Sequence, residues 1–378
     1  MSHLHEKELV LFFTQGLSLK AWDELGMLDR ETALYRALVP HMKGITFVTY
    51  GGAEELAYQA KLPGIRIVYN RWKLHPWRYG RWLELSCHLP RHPWRRGNVI
   101  FKTNQTPGGG LPLRIAQRWN IPLIARCGYL YSDFTYDKQG IDSMASVRAT
   151  HLEHTLFHGA SETVVTTEAM RQTIIRRYGV AQELINLIPN YVDCQEFAPY
   201  PVESQPRLKR ILCIARLDPS KNIMALLKAL VGMPGVHLDL VGQGPLKEKV
   251  TQFIADKELC VTMIDRVPHQ ELPAMMNRAD LFVLPSHYEG HPKVLLEAMA
   301  CGRAVLGSDV PGIAPVIDHR HSGWLCDTDT ASLAEAIHLL LEHPRLRQDL
   351  GQAARKQMLE QVALDRIMEL EMQLYGKL

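Results

Sequence analysis

The sequence predicts an α/β protein built from two Rossmann-like domains. Short apolar segments of strand length alternate with helical stretches through nearly all of the chain, which is the pattern of parallel sheets. The 378 residues exceed one domain of ordinary size and suit two of similar size. A polar, proline-rich stretch at 197–206 separates two such series, and its composition is typical of an interdomain linker.

The first series forms a predicted N-terminal domain over residues 1–198. Its predicted strands are short runs rich in β-branched and other apolar residues, at 8–14, 45–50, 65–70, 99–104, 122–126, 163–167 and 185–188. Helical segments are predicted between them at 30–41, 111–119, 143–158 and 168–178. The alternation of the two kinds of segment predicts a parallel sheet covered by helices.

The second series forms a predicted C-terminal domain over residues 207–356. Its strands are predicted at 210–215, 237–241, 261–264, 281–285, 304–307 and 324–326. A last helix, at about 359–375, lies beyond this sheet in the terminal segment 357–378. Ligands of such folds bind outside the carboxyl ends of the strands, so we expect two sheets that face a common cleft.

The composition favours a soluble globular protein of a reducing compartment. Hydrophobic residues make up 46% and charged residues 22%, as in ordinary globular domains. The net charge of +3 implies no overall attraction to nucleic acid or anionic lipid. Seven scattered cysteines without a Cys-x-x-Cys pair predict free thiols. The first residues lack an apolar signal core, and no apolar run spans a bilayer, so a cytoplasmic location is expected.

Two glutamates, Glu289 and Glu297, bracket the predicted start of a helix that follows the strand 281–285. Pro292 suits the first helical turn because its missing N–H needs no partner there. An anionic phosphate would be bound by the outward-facing amides at this helix start, those of His291, Lys293 and Val294. Carboxylates accept hydrogen bonds from sugar hydroxyls, so the pattern predicts a sugar-nucleotide site. For the pair alone, two ordinary glutamates on a solvated helix are the better interpretation.

The neighbouring residues favour the functional interpretation. Pro285-Ser286 precedes Glu289, and Glu297 is followed by Ala298-Met299-Ala300-Cys301-Gly302. Further matches occur in order, namely Ile188-Pro189-Asn190-Tyr191-Val192-Asp193, Ala215-Arg216-Leu217 with Lys221-Asn222, Val241-Gly242-Gln243-Gly244-Pro245 and His321-Ser322-Gly323-Trp324-Leu325. Together these segments resemble the retaining glycosyltransferases of family 4, which have the two-domain GT-B fold. The resemblance is strong over about 185–356 and looser before it.

The resemblance implies a metal-independent enzyme that moves a sugar from a nucleotide-diphosphate donor to an acceptor hydroxyl of a glycan, a lipid-linked sugar or a small molecule. It assigns the leaving diphosphate to Arg216 and Lys221, although two surface cations are the alternative for these residues alone. It assigns the sugar hydroxyls to Glu289, the ribose to Glu297 and the base to the backbone of Val267. Other donor contacts are expected from Gly16, Gly290, His291, Lys293, Val294 and Leu295. The last helix is expected to cross back to the first domain.

The first domain departs from the family pattern in two places. The loop after the first strand has a single glycine, Gly16, where the family often has a pair. A histidine usual at the end of a later strand is replaced here by Cys127, or by a backbone carbonyl beside it. The glycine-rich loop 106–110 is a candidate for the acceptor pocket or a plain connection. An epimerase or phosphorylase of the same fold, and a binding module without catalysis, are the alternatives to transfer.

The segment 71–96 carries four of the seven tryptophans and seven Lys or Arg residues against one acidic residue, Glu84. Such a composition suits a peripheral contact with membrane headgroups or stacking on single-stranded nucleic acid. The simpler interpretation, which we favour slightly, is an amphipathic helix over 79–89 with its tryptophans in the core and its arginines in solvent. Nucleic acid is not expected as a partner.

Overall fold

The computed structural model describes residues 4–86, 94, 98–201 and 209–378. The chain forms two compact units: one runs up to Pro189 and includes Ile367–Leu378, and the other comprises Asn190–Arg366. Each unit is built around its own parallel sheet.

The sheet of the first unit contains seven strands among the described residues, in the order β3-β2-β1-β4-β5-β6-β7. All of its pairings are parallel. The strands are β1 (Lys7–Phe12), β2 (Gly44–Val48), β3 (Ile65–Val68), β4 (Asn98–Thr103), β5 (Leu123–Cys127), β6 (Glu162–Val165) and β7 (Ile185–Leu187). Every predicted strand of this half is present, and the order is that of a Rossmann fold, with its switch point between β1 and β4.

Helices connect these strands. They are α1 (Leu19–Glu24), α2 (Leu28–Leu38), α3 (Pro76–Ser86), α4 (Gly110–Trp119), α5 (Tyr131–Gln139), α6 (Met144–Gly159) and α7 (Glu168–Tyr178). The side chains of Ser18, Ser143 and Thr167 accept a backbone N–H at the starts of α1, α6 and α7, as N-cap residues do. The prediction missed α1 and α5, which lack a clear apolar period.

The six-stranded sheet of the second unit has the order β10-β9-β8-β11-β12-β13, again entirely parallel. Its strands are β8 (Lys209–Ile214), β9 (Val236–Val241), β10 (Val261–Ile264), β11 (Leu281–Leu284), β12 (Val305–Ser308) and β13 (Trp324–Cys326). In β11, Leu281 and Val283 enter one hydrophobic core while Phe282 and Leu284 enter another. A strand buried on both faces reads as a continuous apolar run, which is why the sequence predicted it. The expected fold of two Rossmann-like domains is confirmed.

The helices of this part of the chain are α8 (Ile223–Ala229), α9 (Lys247–Asp256), α10 (Leu272–Arg278), α11 (Lys293–Ala300), α12 (Thr330–Glu342), α13 (Pro344–Gln361) and α14 (Leu364–Lys377). The single last helix expected at 359–375 is interrupted between α13 and α14. Val192 causes the break, because its N–H donates to Val362 O and its carbonyl accepts from Leu364 N. None of the helices in the described ranges combines the length and apolar character needed to cross a bilayer.

The boundary between the units lies at Pro189, earlier than the predicted limit of 198. Phe197 is buried in a core of the second unit. Arg355 donates to the carbonyls of Phe197 at 2.7 Å and Cys194 at 2.8 Å, so the backbone over 190–198 is attached to α13. Much of the predicted linker, at 202–206, falls outside the described residues.

The tryptophan-rich segment differs from the simpler prediction. The helix is α3, over Pro76–Ser86, rather than 79–89, and residues 87–93 and 95–97 lie outside the described part. Tyr79 and Leu83 face the core, and Trp94 is 3% exposed. Trp72 and Trp77, however, are 54% and 59% exposed. The prediction that the tryptophans lie in the core is therefore wrong for these two residues.

Candidate functional site

An ion pair joins the loops that follow the two central strands of the second sheet. Lys221 ends a 3₁₀ helix (Pro219–Lys221) after β8, and Glu289 follows β11. Lys221 Nζ lies 2.7 Å from Glu289 Oε1, and the two side chains are 19% and 14% exposed. Ser286 Oγ donates to the same carboxylate oxygen at 2.7 Å. Because β8 and β11 flank the switch point of the sheet, the pair occupies the position where such folds bind ligands.

The loop that carries Lys221 is fixed by hydrogen bonds to its neighbours. Asp218 accepts from Ser220 N at 3.0 Å and from Ser220 Oγ at 2.6 Å. Ser220 O in turn accepts from His287 N at 2.8 Å, which ties this loop to the one after β11. Asn222 takes a left-handed conformation with φ of 54°, and its side-chain amide donates to Thr328 O. These contacts hold Lys221 opposite Glu289.

Two glycines permit close packing of backbone around the pair. A Cβ on Gly244 would lie 2.4 Å from Leu217 O, and one on Gly312 would lie 2.0 Å from Glu289 O. Neither distance is possible for a larger residue without movement of the backbone. Gly244 therefore serves the packing of a strand-to-helix turn, as expected from the sequence, rather than a dinucleotide fingerprint.

Arg216 is not part of the ion pair. Its side chain is 68% exposed, and its Nε lies 3.6 Å from Asp218 Oδ2. It follows β8 directly, so it lies at the same edge of the sheet as Lys221. The structure thus brings Lys221 to Glu289 and leaves Arg216 at the surface beside them.

The start of α11 is held from a different part of the unit. Pro292 is the N-cap, and the helix begins at Lys293, one residue later than Pro292 at the first helical position would give. Asn190 donates its N–H to His291 Nδ1 at 3.2 Å and its side-chain amide to His291 O at 2.8 Å. Lys293 Nζ lies 5.2 Å from the centre of the Tyr191 ring. The segment 190–191 thereby orients the loop that carries Gly290 and His291.

The predicted amide donors at this helix start are not equivalent. His291, Lys293 and Val294 are partly exposed, and the first amides of a helix have no partner within it. Leu295 differs, because it is fully buried and its amide donates to Pro292 O at 3.1 Å. We therefore remove Leu295 from the set of candidate donor contacts.

Glu297 is almost completely buried, with 2% of its surface exposed. Its Oε1 lies 3.1 Å from Nε2 of His269, a residue that is 8% exposed. On its other side His269 Nδ1 lies 3.8 Å from Glu196 Oε1. His269 was not singled out from the sequence. The contact spans 28 positions of the chain, and the sequence offers no local signal for it.

Val267 lies two residues before His269, in the loop after β10. Its side chain is partly buried against the core that contains α11. Asp265, which stands near the place of the family's usual glycine, is fully exposed, and a hydrogen bond from Lys247 lowers the pKa of its carboxyl group. The candidate base contact at Val267 and the candidate ribose contact at Glu297 are thus linked through His269.

In the first unit, Gly16 lies in the turn after β1. It has a φ of 84°, and an added Cβ would meet no atom within 4 Å, so glycine is favoured there by conformation rather than by space. Gln15 N donates to Pro107 O at 3.3 Å. Because Pro107 follows β4, this bond joins the two loops at the switch point of the first sheet.

Cys127 cannot replace the usual histidine through its side chain. The thiol is completely buried, and burial raises its pKa to about 12. Its sulfur donates to Tyr129 O at 3.2 Å. The prediction that Cys127 itself makes the contact is therefore wrong on geometric grounds, and a backbone group remains the candidate.

No group of three or more metal-binding side chains occurs within the ranges that the structure describes. One Asp-x-Asp triplet is present at 327–329. Asp329 of this triplet caps α12 by accepting from Ala331 N at 2.9 Å and Ser332 N at 3.0 Å. Hydrogen bonds from Ser332 also lower the pKa of Asp329. The local role of this aspartate is that of a helix cap.

Two family models match the chain, one in each half. "Glycosyl transferase 4-like domain" matches residues 28–191, and "Glycosyl transferases group 1" matches residues 197–357. The D-inositol 3-phosphate glycosyltransferase of Pseudarthrobacter chlorophenolicus is 28% identical over 289 residues, which cover 72% of this chain and 69% of that protein.

Two solved structures share the fold over nearly the whole chain. Sucrose-phosphate synthase from Thermosynechococcus elongatus gives a TM-score of 0.78 at 20% identity and 98% coverage of both chains. HepE of Anabaena in complex with UDP gives a TM-score of 0.76 at 17% identity, covering 98% of this chain and all of that one. With the sheet orders and the two family models, these similarities lead to one conclusion. The chain belongs to glycosyltransferase family 4 and is a glycosyltransferase of the GT-B fold.

Proposed function

We propose that this enzyme transfers a sugar, with retention of configuration, from a nucleotide-diphosphate donor to an acceptor hydroxyl without a metal ion. The observation that carries the proposal is the ion pair of Lys221 and Glu289 at the switch point of the second sheet. A cation held next to a carboxylate suits a substrate in which a negatively charged diphosphate adjoins a sugar. The complexes of HepE with UDP and with UDP-glucose are consistent with a donor of this class.

In the proposed reaction, the bond from the anomeric carbon to the β-phosphate oxygen breaks while the acceptor oxygen bonds to the same carbon on the same face. The acceptor proton passes to the departing phosphate. Lys221 stabilises the charge that develops on that phosphate, and Glu289 faces the positive charge on the sugar. Ser286 and Lys221 both donate to Glu289, which keeps the carboxylate ionised and oriented.

The remaining contacts are assigned to the rest of the loop and to α11. Amides of Gly290, His291, Lys293 and Val294 would hold phosphate or sugar oxygens, as helix N-termini do. Arg216 would add a second cation from its exposed position at the same sheet edge. Glu297 would bind the ribose, and the backbone of Val267 the base. In the first unit, Gly16 would approach the donor or acceptor.

The acceptor is proposed to be a hydroxyl of a glycan or of a lipid-linked sugar, and the enzyme is proposed to act in the cytoplasm. The six cysteines among the described residues are free thiols, which supports a reducing compartment.

A thermal-shift screen with UDP, GDP and ADP and their sugars, carried out in excess EDTA, tests donor class and metal independence together. A ligand that binds the folded state raises the melting temperature by mass action. We expect one base to give a clear shift in EDTA, with the matching nucleoside diphosphate released only when an acceptor is supplied. Absence of any shift, or a shift and turnover that require Mg²⁺ or Mn²⁺, would contradict the proposal.

Glu297 and His269 are expected to affect donor binding more than the chemical step. Ribose hydroxyls change little as the glycosidic bond breaks, so losing their contact removes uniform binding. Glu297→Gln should raise the donor KM about ten- to a hundredfold, the value of a hydrogen bond to a charged group. His269→Gln should raise KM about tenfold, because it frees Glu297 to rotate, while kcat stays within about twofold in both variants.

His237 provides the matched control for His269. Its Nε2 lies 3.1 Å from Asp239 Oδ1, the same distance as in the His269–Glu297 contact, but at the start of β9 rather than at the carboxyl edge. His237→Gln should leave both kinetic parameters unchanged. A loss of kcat at constant KM in His269→Gln, or an equal effect of His237→Gln, would refute the positioning role.

A further inference from the structure

A cationic, tryptophan-bearing surface lies on the first unit, and the proposed reaction makes no use of it. The α3 surface, as we call it, consists of exposed side chains on α3 and in the loop before it: Arg71, Trp72, Lys73, Trp77, Arg78, Arg81 and Leu85. Its three large apolar members are 54% (Trp72), 59% (Trp77) and 61% (Leu85) exposed. Large apolar side chains grouped in this way on a protein surface commonly mark an interaction site.

The geometry of α3 explains why these residues point outward. Tyr79 and Leu83, four positions apart, are buried in the core of the first unit. Trp77, Arg81 and Leu85 follow one another at four-residue intervals on the opposite side. The inner face is fixed by packing, so rotating the helix to hide Trp77 or Leu85 would expose Tyr79 and Leu83. The outward face is therefore a permanent feature of the unit.

The charge of this surface is almost uncompensated. Glu84, the acidic residue of α3, lies 3.3 Å from Arg114 of α4. Lys73 lies 3.8 Å from Glu54, with both side chains well exposed. Arg71, Arg78 and Arg81 have no ion-pair partner among the described residues. The surface thus presents several cations between exposed indole and leucine side chains.

We propose that the α3 surface docks on the anionic surface of a phospholipid membrane. Tryptophan and arginine suit the headgroup layer, where an apolar body and a polar or charged end are both accommodated. A flat helix face that alternates apolar and cationic side chains is typical of interfacial helices. Single-stranded nucleic acid fits less well, because Leu85 offers no ring for stacking and Trp72 already packs edge to face with Trp82 at 4.9 Å between ring centres.

Co-sedimentation of the full chain with vesicles tests the proposal without substrate, so the result does not depend on the proposed reaction. We expect binding to mixed phosphatidylcholine–phosphatidylglycerol vesicles, a blue shift of tryptophan fluorescence, and weakening of both by salt. Pure phosphatidylcholine should bind far less. Equal binding to both vesicles, no binding to either, or salt-sensitive binding to an oligothymidylate instead would overturn the proposal.

Two double variants test the residues. Arg78→Gln with Arg81→Gln should weaken binding to the mixed vesicles about 25-fold, or about fivefold per cation. Trp72→Ser with Trp77→Ser should weaken it about tenfold through lost apolar contact. The control is Lys249→Gln with Lys257→Gln, which removes two exposed cations from the second unit and should leave binding unchanged. Wild-type binding by both test variants, or an equal loss in the control, would refute the assignment.

Discussion

Replacing Lys221 with alanine is expected to lower kcat by about a hundred- to a thousandfold, the usual effect of removing one donor aimed at developing charge. Lys221 Nζ is held by Glu289 at 2.7 Å and is mostly shielded from water, so its contribution to the leaving diphosphate is preorganised. The measurement is turnover of the donor identified by the nucleotide screen, at saturating donor and acceptor.

The matched control is Lys228→Ala. Lys228 is a fully solvated lysine near the end of α8, the next helix after Lys221, and its loss should leave kcat unchanged. Melting temperatures of both variants show whether the fold is intact. Near-normal turnover in Lys221→Ala, or an equal loss in Lys228→Ala, would remove Lys221 from the mechanism.

Glu289 can be separated from Lys221 by a double-mutant cycle. Glu289→Gln keeps the hydrogen-bonding shape and removes the charge, so kcat should fall strongly while the donor KM changes less. Because the two residues act as one unit, the double variant should lose little more activity than the worse single variant. Effects that simply add would show that the pair is structural and that the two residues act independently.

The sequence predicted the sheets well for a physical reason. Strands of a parallel sheet are buried on both faces, and β11 illustrates this because its residues enter two separate cores. Such a run is apolar without interruption and is recognised without knowledge of its neighbours. The short helix α1 has no comparable pattern, since its position depends on Glu55, a buried side chain that accepts from Leu19 N and Lys20 N.

The candidate site was predictable only to the level of sheet edges. Lys221 and Glu289 follow strands that are neighbours at a switch point, so the sequence placed both at one edge. Their direct contact depends on rotamers and on the path of the loop held by Asp218. The same limits explain why His269 was missed and why Arg216 and Trp77 proved to be exposed. A periodic pattern indicates which face of a helix is apolar, but a helix with large apolar residues on both faces leaves the inner face undecided.

The first unit contains a buried ion pair that fixes the C-terminal helix. Lys102 of β4 and Glu371 of α14 form a salt bridge in which the two side chains are 0% and 2% exposed. Tyr375 OH lies 3.1 Å from Lys102 Nζ. Burial lowers the pKa of Lys102, and the charge of Glu371 opposes that shift. A charge so deeply buried is tolerated only while its partner is present.

Glu371→Leu is therefore expected to destabilise the first unit by about 3–5 kcal/mol, because it leaves Lys102 charged, buried and unpaired. The double variant with Lys102→Met should recover most of this loss, since no unpaired charge remains. Six of the seven tryptophans lie in the first unit, so urea unfolding followed by tryptophan fluorescence reports mainly on that unit.

The exposed pair of Lys209 and Glu342 provides the control. Glu342→Leu should leave the unfolding curve of the whole chain nearly unchanged, because solvent already screens that pair. If Glu371→Leu unfolds at the same urea concentration as the unaltered protein, the pair does not hold α14 in place. If the double variant is as unstable as Glu371→Leu alone, the loss comes from packing around position 371 rather than from an unpaired buried charge.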